Sequence, residues 1–124
     1  MTRADAARLI LAADALGCGA AAAAVGLVPA VLRPVDRSLR ARGPVTLALA
    51  ATSLVMAFGL RANQPSRRQL TTAASVNAAW VGSCLVALPR QRNRVGAALV
   101  VSTALLDAAV GGVQWFLRPE RQSG

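Results

Sequence analysis

The apolar stretch at residues 95–117 places the strongest constraint on the fold of this chain. It is 23 residues long and contains no Arg, Lys, Glu or His. Roughly 20 apolar residues, at about 1.5 Å rise each, cross a bilayer core of about 30 Å, so this length predicts a transmembrane helix. Asp107 lies near its centre, where inserting an acid costs about 2.5–3.5 kcal/mol. We therefore expect Asp107 to have a partner or a function, and to be protonated or to reach water.

Three further windows, at 9–32, 43–60 and 69–89, are also free of Arg and are flanked by it. Pro29 near the end of the first window is expected to kink or terminate that helix. The short connections make neighbouring helices antiparallel. The pattern predicts one all-α domain over 1–124, an integral membrane up-down four-helix bundle with both termini on one side.

The charge distribution argues against nucleic-acid binding, despite a net charge of +9. Every basic residue is Arg, and nearly all of these residues lie at the ends of apolar windows rather than on one face. Arg without Lys, in an Ala-rich chain, indicates a GC-rich bacterial genome. We expect a multi-pass protein of the bacterial inner (cytoplasmic) membrane, with membrane lipids as partners and no nucleic acid.

The sequence lacks the residues that most enzymes need. It contains no His, which excludes imidazole-based catalysis and metal ligation by imidazole. Its Ser residues have no nearby base, and there is no Gly-rich phosphate loop. We predict a non-enzymatic protein with no metal site, and nothing in the sequence indicates a cofactor.

Polar residues inside the windows are the candidate functional residues. On the fourth helix they form one stripe, made of Thr103, Asp107, Gly111, Gln114 and Arg118. If the centre of each window lies at the midplane, Asp107 and Asn77 fall within about 3 Å of it. Asp14 and Gln114 then lie roughly 10–12 Å toward the termini. We therefore predict two levels, Asp107 with Asn77 and Asp14 with Gln114, with Arg8 and Arg118 able to reach Asp14.

Small residues and one tryptophan have expected structural roles. Ala13, Gly17 and Ala21 have the small-x-x-x-small spacing that lets helices approach closely. We expect Gly17, Ala21 and Gly111 in helix packing. Trp115, near the end of its helix, is expected to be an interfacial anchor.

The positive-inside rule gives no preferred orientation in the membrane, because the Arg residues are divided equally between the two sides. Seven Arg residues fall on the side of the termini, namely Arg3, Arg8, Arg61, Arg67, Arg68, Arg118 and Arg121. The other seven fall on the opposite side, namely Arg33, Arg37, Arg40, Arg42, Arg90, Arg92 and Arg94. Either a partner or the 33–42 loop sets the orientation, or copies insert both ways and pair as an antiparallel dimer.

In size, helix count, balanced loops and an acid in the first helix, the chain resembles the small multidrug resistance transporters. In that family a first-helix carboxylate couples protons to cationic drugs, and Asp14 is the position that corresponds. The stretches 11–17, 77–80 and 114–115 more loosely resemble uncharacterised small four-helix bacterial inner-membrane proteins, which implies a fold and no activity.

Two functional hypotheses follow. The first is a non-enzymatic membrane protein that acts as an oligomerising or accessory subunit, as a homo-oligomer or in a larger membrane complex. The alternative is a small proton-coupled transporter or channel that uses Asp14 or Asp107, with a dual-topology dimer as one form.

Overall fold

The computed structural model describes residues 1–121, so the last three residues of the predicted domain lie outside the described part. The long helices are α1 (Arg3–Leu27), α2 (Arg42–Phe58), α3 (Arg67–Ala87) and α4 (Arg94–Phe116). The prediction of an all-α chain with four helices is confirmed. Each helix is long and apolar enough to cross a membrane.

The first helix begins and ends earlier than the predicted 9–32. It begins at Arg3 because Thr2 and Asp5 form a capping box, in which the Thr2 hydroxyl accepts from the Asp5 N–H at 3.1 Å and the Thr2 N–H donates to the carboxylate at 2.9 Å. It ends at Leu27 because Pro29 has no N–H to continue the ladder and opens a short 3₁₀ turn instead.

The other three helices begin and end within about two residues of the predicted windows, and the N-termini of α3 and α4 are capped by side chains. Ser66 and Gln69 form a second capping box at the start of α3. Asn93 accepts a hydrogen bond from the Gly96 N–H at 2.7 Å at the start of α4. All four helices begin at an Arg, and α2 and α4 begin at the Arg directly before their predicted window.

The helices form two antiparallel hairpins, α1–α2 and α3–α4. Gly19 and Gly26 allow α1 and α2 to approach closely, since a Cβ atom at these positions would lie 3.1 Å from Ser53 Oγ and 3.3 Å from Thr46 Cγ2. The Ser53 hydroxyl donates to the Ala15 carbonyl at 2.7 Å, which ties the two helices together near their middle.

The hairpins meet around a small core in the half of the bundle that holds the termini. Its buried apolar residues are Ala7, Leu11, Ala15, Met56, Leu70 and Ala73. Many larger apolar side chains lie exposed on the outer faces, among them Leu16, Leu47, Leu54, Leu105 and Phe116. The core therefore combines Ala residues with three larger side chains, Leu11, Met56 and Leu70, while most of the bulky apolar side chains lie outside.

Arginine side chains complete the C-terminal ends of three helices. Arg42 at the start of α2 donates to the carbonyls of Val25 and Gly26 at the end of α1. Arg8 of α1 donates to Leu60 and Ala62 after α2. Arg3 donates to the Phe116 carbonyl at the end of α4. Helix-end carbonyls lack partners within their own helix, so these contacts satisfy acceptors that would otherwise depend on water.

Candidate functional site

Three helices bring polar side chains together inside the bundle. Asp14 of α1, Asn77 of α3 and Gln114 of α4 are 8%, 1% and 0% exposed, respectively. Buried polar groups of this kind are costly unless they are hydrogen-bonded to one another. We call these three residues the polar cluster.

Each member of the polar cluster bonds to both others. The Asn77 amide nitrogen donates to Asp14 Oδ2 at 2.8 Å and to Gln114 Oε1 at 2.9 Å. The Gln114 amide nitrogen donates to the same Asp14 oxygen at 2.7 Å. The other Asp14 oxygen accepts a weak hydrogen bond from the Cys18 thiol at 3.5 Å. Within residues 1–121, the carboxylate is thus held by two amides and a thiol, none of which carries a positive charge.

Small residues on α3 and α4 allow the cluster to form. Gly111 is buried one turn before Gln114, and a Cβ atom there would lie 3.0 Å from the Cβ of Asn77. Ala73 and Ala74 are buried one turn before Asn77. The close approach of the two helices brings both amides within hydrogen-bonding distance of Asp14.

Of the two predicted levels, Asp14 with Gln114 is confirmed, because the two side chains are hydrogen-bonded. The other level, Asp107 with Asn77, is wrong, because Asn77 bonds to Asp14 and Gln114 and Asp107 bonds to none of the three. The prediction placed the centre of every window at one depth, but the α3–α4 turn sets the register and places Gly111 opposite Asn77. In addition, α1 is displaced toward the N-terminus, so Asp14 lies near the middle of that helix.

The arginines expected to reach Asp14 are engaged elsewhere. Arg8 donates to backbone carbonyls after α2. Arg118 donates to the Trp115 carbonyl at 3.0 Å and to Thr71 Oγ1 at 3.3 Å. Both guanidinium groups therefore donate to carbonyls at or just after helix C-termini, and neither reaches Asp14.

Asp107 lies in an open groove that is lined by residues of α3 and α4. The groove has a volume of about 380 Å³ and is lined mainly by small residues, namely Ala74, Ser75, Ala78, Val81, Ala108, Gly111, Gly112 and Trp115. We call it the Asp107 groove. Asp107 is only partly buried, and its carboxylate has no hydrogen-bond partner among residues 1–121.

The remaining predicted residues divide between the interior and the surface. Gly17 is exposed, with no atom near the position of a Cβ, so it does not contribute to packing within this chain. The packing glycines of α1 are Gly19 and Gly26 instead. Ala21 is partly buried, and Trp115 is half exposed under the guanidinium of Arg118.

Two contacts of this region were not anticipated from the sequence. The Cys18 thiol donates to Asp14, four residues earlier on the same helix. Trp80 donates from its indole N–H to Thr52 Oγ1 at 3.1 Å, which joins α3 to α2. The i, i+4 spacing of Asp14 and Cys18 was the only sequence signal for the first contact.

The described residues, 1–121, hold no group of three or more His, Cys, Asp or Glu side chains that could bind a metal ion. Chemically, the polar cluster offers a buried carboxylate held by neutral donors. The Asp107 groove offers a second acid beside an apolar, small-residue surface.

Comparison with protein-family models, curated proteins and solved structures finds no match for this chain.

Proposed function

We propose that this protein is a non-enzymatic multi-pass membrane protein that acts as an oligomerising or accessory subunit. Its proposed location is the bacterial inner membrane. Four apolar helices with exposed Leu, Val and Phe side chains support membrane insertion. The absence of Lys among the basic residues supports a bacterial origin.

The observation that carries the proposal is the position of Asp107. It lies near the middle of α4, in an open groove, without a hydrogen-bond partner among residues 1–121. In hydrocarbon such an acid is costly unless a neighbouring helix supplies a partner. The small residues around it would let that helix approach closely, as small residues do at helix interfaces in membranes.

We propose a second copy of the chain as the occupant of the Asp107 groove. Two copies related by a twofold axis would each present the same small-residue surface, and their Asp107 side chains would approach one another near the axis. Protonated carboxyl groups in that position could hydrogen-bond across the interface and exclude lipid from both grooves.

The test compares two glycines that are both exposed and open at the Cβ position, Gly112 in the groove and Gly17 on α1. Gly112→Leu is expected to weaken association by about three- to thirtyfold, the range that interhelical contacts in membranes supply. Gly17→Leu should leave it unchanged. Energy transfer between labelled copies, measured in liposomes as a function of protein-to-lipid ratio, gives the association constant.

Asp107 variants complete this test. Asp107→Asn keeps hydrogen-bonding capacity and should keep most of the association, whereas Asp107→Leu should lose it. Equal association in the Gly112→Leu and Gly17→Leu proteins would rule out the groove as the interface. Stable capture of another membrane protein by the wild type, lost in Gly112→Leu, would assign the groove to an accessory role instead.

The second candidate function is a small proton-coupled transporter. The observation in its favour is the buried Asp14 carboxylate on the first helix, which has no cationic partner among residues 1–121 and could exchange a proton for a cation. The expected result for a transporter is pH-dependent efflux of a cationic dye from liposomes that Asp14→Asn abolishes without dispersing the oligomer. Absence of any dye flux in the wild type would remove this candidate.

A further inference from the structure

A second groove lies between α2 and α3, where the two hairpins meet. The Asp107 groove, by contrast, is lined only by α3 and α4. It has a volume of about 390 Å³, within the range of roughly 300–1,000 Å³ that is typical of small-molecule sites. Its floor is apolar and consists of Leu11, Leu54, Val55, Phe58 and Gly59. Its polar residues are Arg68, Gln69 and Thr72, all from the first turns of α3.

The groove is open because α2 and α3 belong to different hairpins and touch at few points. One of these points is the hydrogen bond from Trp80 to Thr52. Thr52 lies six residues before Phe58, or about 9 Å along the helix axis, so the contact marks the inner end of the groove. The result is a short apolar trough with its polar mouth at the end of the bundle that holds the termini.

Arg68 is the charged group at this mouth. It is exposed, and its guanidinium has no hydrogen-bond acceptor among residues 1–121. Three other arginines at the same end do have acceptors. Arg8 and Arg67 donate to backbone carbonyls, and Arg118 donates to Thr71. Arg61 stacks on the Phe58 ring, 4.7 Å from its centre. Arg68 is the arginine that lines this groove, and its guanidinium is available to a ligand.

We propose that this groove binds one anionic phospholipid of the surrounding bilayer. The phosphate lies on Arg68, whose planar donors match a phosphate group, and part of an acyl chain lies on the apolar floor. This proposal rests on the membrane location proposed above. The apolar floor is what favours a lipid over a free phosphate ion, which would use Arg68 alone.

The experiment measures lipid binding to the full chain, purified in mild detergent, by native mass spectrometry. The probes are phosphatidylglycerol and phosphatidylcholine with identical acyl chains, and inorganic phosphate is the competitor. Arg68→Gln removes the guanidinium, and Val55→Trp fills the trough from a position that is 44% exposed. Arg92→Gln is the matched control, since it removes one exposed Arg from the opposite end of the bundle.

For the wild type we expect one phosphatidylglycerol bound more tightly than phosphatidylcholine. Arg68→Gln should weaken phosphatidylglycerol binding about fivefold, the contribution of one basic residue at a membrane surface, and Val55→Trp should weaken both lipids. Arg92→Gln should change neither. Inorganic phosphate at millimolar concentration should not displace the lipid.

Three results would overturn the proposal. Equal losses in Arg68→Gln and Arg92→Gln would mean general charge attraction, and displacement by inorganic phosphate would mean an anion site without an acyl chain. Unchanged binding in Val55→Trp would place the lipid elsewhere. The proposed membrane location is tested separately. If it is wrong, alkaline carbonate will extract the chain from membranes without detergent.

Discussion

At the scale of single residues, Asn77 connects the two hairpins. Its amide nitrogen contacts a carboxylate on α1, an amide oxygen on α4 and, at 3.3 Å, the Ala73 carbonyl on its own helix. Because the side chain is 1% exposed, none of these bonds can be replaced by water without opening the bundle. Asn77 is thus the residue on which the geometry of the polar cluster depends.

Replacing Asn77 is expected to destabilise the fold. Asn77→Ala leaves Asp14 with one amide donor instead of two and leaves Gln114 Oε1 with none, and an unsatisfied buried acceptor costs about 1–3 kcal/mol. Ser83→Ala is the matched control, because that exposed hydroxyl bonds only within α3 and lies outside both grooves. Unfolding in mixed micelles of mild detergent and sodium dodecyl sulfate gives both free energies. Equal stability of the two variants would contradict a linking role for Asn77.

At the scale of helices, Arg42 and Arg8 have a structural role beyond their charge. Arg42 and Arg8 exchange contacts between α1 and α2, each reaching the carbonyls at the end of the other helix. In an antiparallel hairpin, the start of one helix lies beside the end of its neighbour. An Arg in a first turn is therefore placed to cap the adjacent C-terminus.

Loss of such a cap should loosen the last turn of the neighbouring helix. In Arg42→Met, the Val25 and Gly26 carbonyls lose their donor, and charge-assisted hydrogen bonds are worth about 1.5–3 kcal/mol. We expect amide hydrogen exchange at the end of α1 to accelerate about tenfold, which corresponds to about 1.4 kcal/mol. Arg40→Met, an exposed substitution in the same loop, should not have this effect. Identical exchange in both variants would show that the Arg42 contacts are dispensable.

The loop between α1 and α2 is organised by Asp36. Its carboxylate accepts from the Ser38 hydroxyl at 2.6 Å, the Ser38 N–H at 3.1 Å and the Ala41 N–H at 2.8 Å. The Ser38 hydroxyl and the backbone N–H donors hold the pKa of Asp36 below its ordinary value of 3.8. These bonds hold the turn in which Leu39 adopts a positive φ of 57°.

This shift predicts a pH dependence with a defined sign. Since the folded pKa is lowered, the stabilising contribution of Asp36 is present above its unfolded value and is lost as pH falls through the folded value. Asp36→Asn should therefore be less stable than the wild type at pH 7, and the difference should shrink as the pH drops below 3.8. Thermal unfolding at both ends of this range measures it, with Arg37→Gln as the exposed neighbouring control. A difference that is independent of pH would contradict the assignment.

At the scale of the whole molecule, contacts tie both ends of the bundle. Asn93 donates to the Pro34 carbonyl at 2.9 Å, which joins the α3–α4 turn to the loop after α1. At the opposite end, Arg3 reaches α4 and Arg67 reaches the Pro119 carbonyl at 2.8 Å. The termini and the α2–α3 turn therefore share one end, as an up-down-up-down path requires.

This arrangement predicts the pattern of labelling in a membrane. With Cys18 and Cys84 replaced by Ala, a single Cys is introduced at one loop position at a time. The Thr2→Cys and Gln64→Cys proteins should react from the same side of the membrane. A single Cys at Ser38 or Arg92 should react from the opposite side. An impermeant maleimide applied to intact and to opened spheroplasts measures this. Labelling of Thr2 and Ser38 positions from one side would refute the topology, and labelling of every position from both sides would indicate dual insertion.

Much of the element pattern was predictable because it depends on local chemistry. Apolar windows flanked by Arg indicated the four helices, and the capping residues Thr2, Ser66 and Asn93 account for where three of them begin. For the polar cluster, the sequence indicated which residues are involved but not all of the contacts between them. Asp14, Asn77 and Gln114 were candidates as polar residues in apolar windows, and Asp14 was correctly grouped with Gln114. Asn77 was wrongly grouped with Asp107, because depth along a window does not give the register between helices.

The sequence by itself determined the number of helices, their apolar character and the residues that could not be left unpaired. Length and side-chain hydropathy are properties of each segment alone, so they can be read without neighbours. Only the tertiary structure decided that Asn77 bonds to Asp14 and that Asp107 lines an open groove. It likewise decided that the exposed side chain of Arg68 lines the groove between α2 and α3. These outcomes depend on turn geometry and on which small residues let helices approach, and both are set by packing between segments distant in sequence.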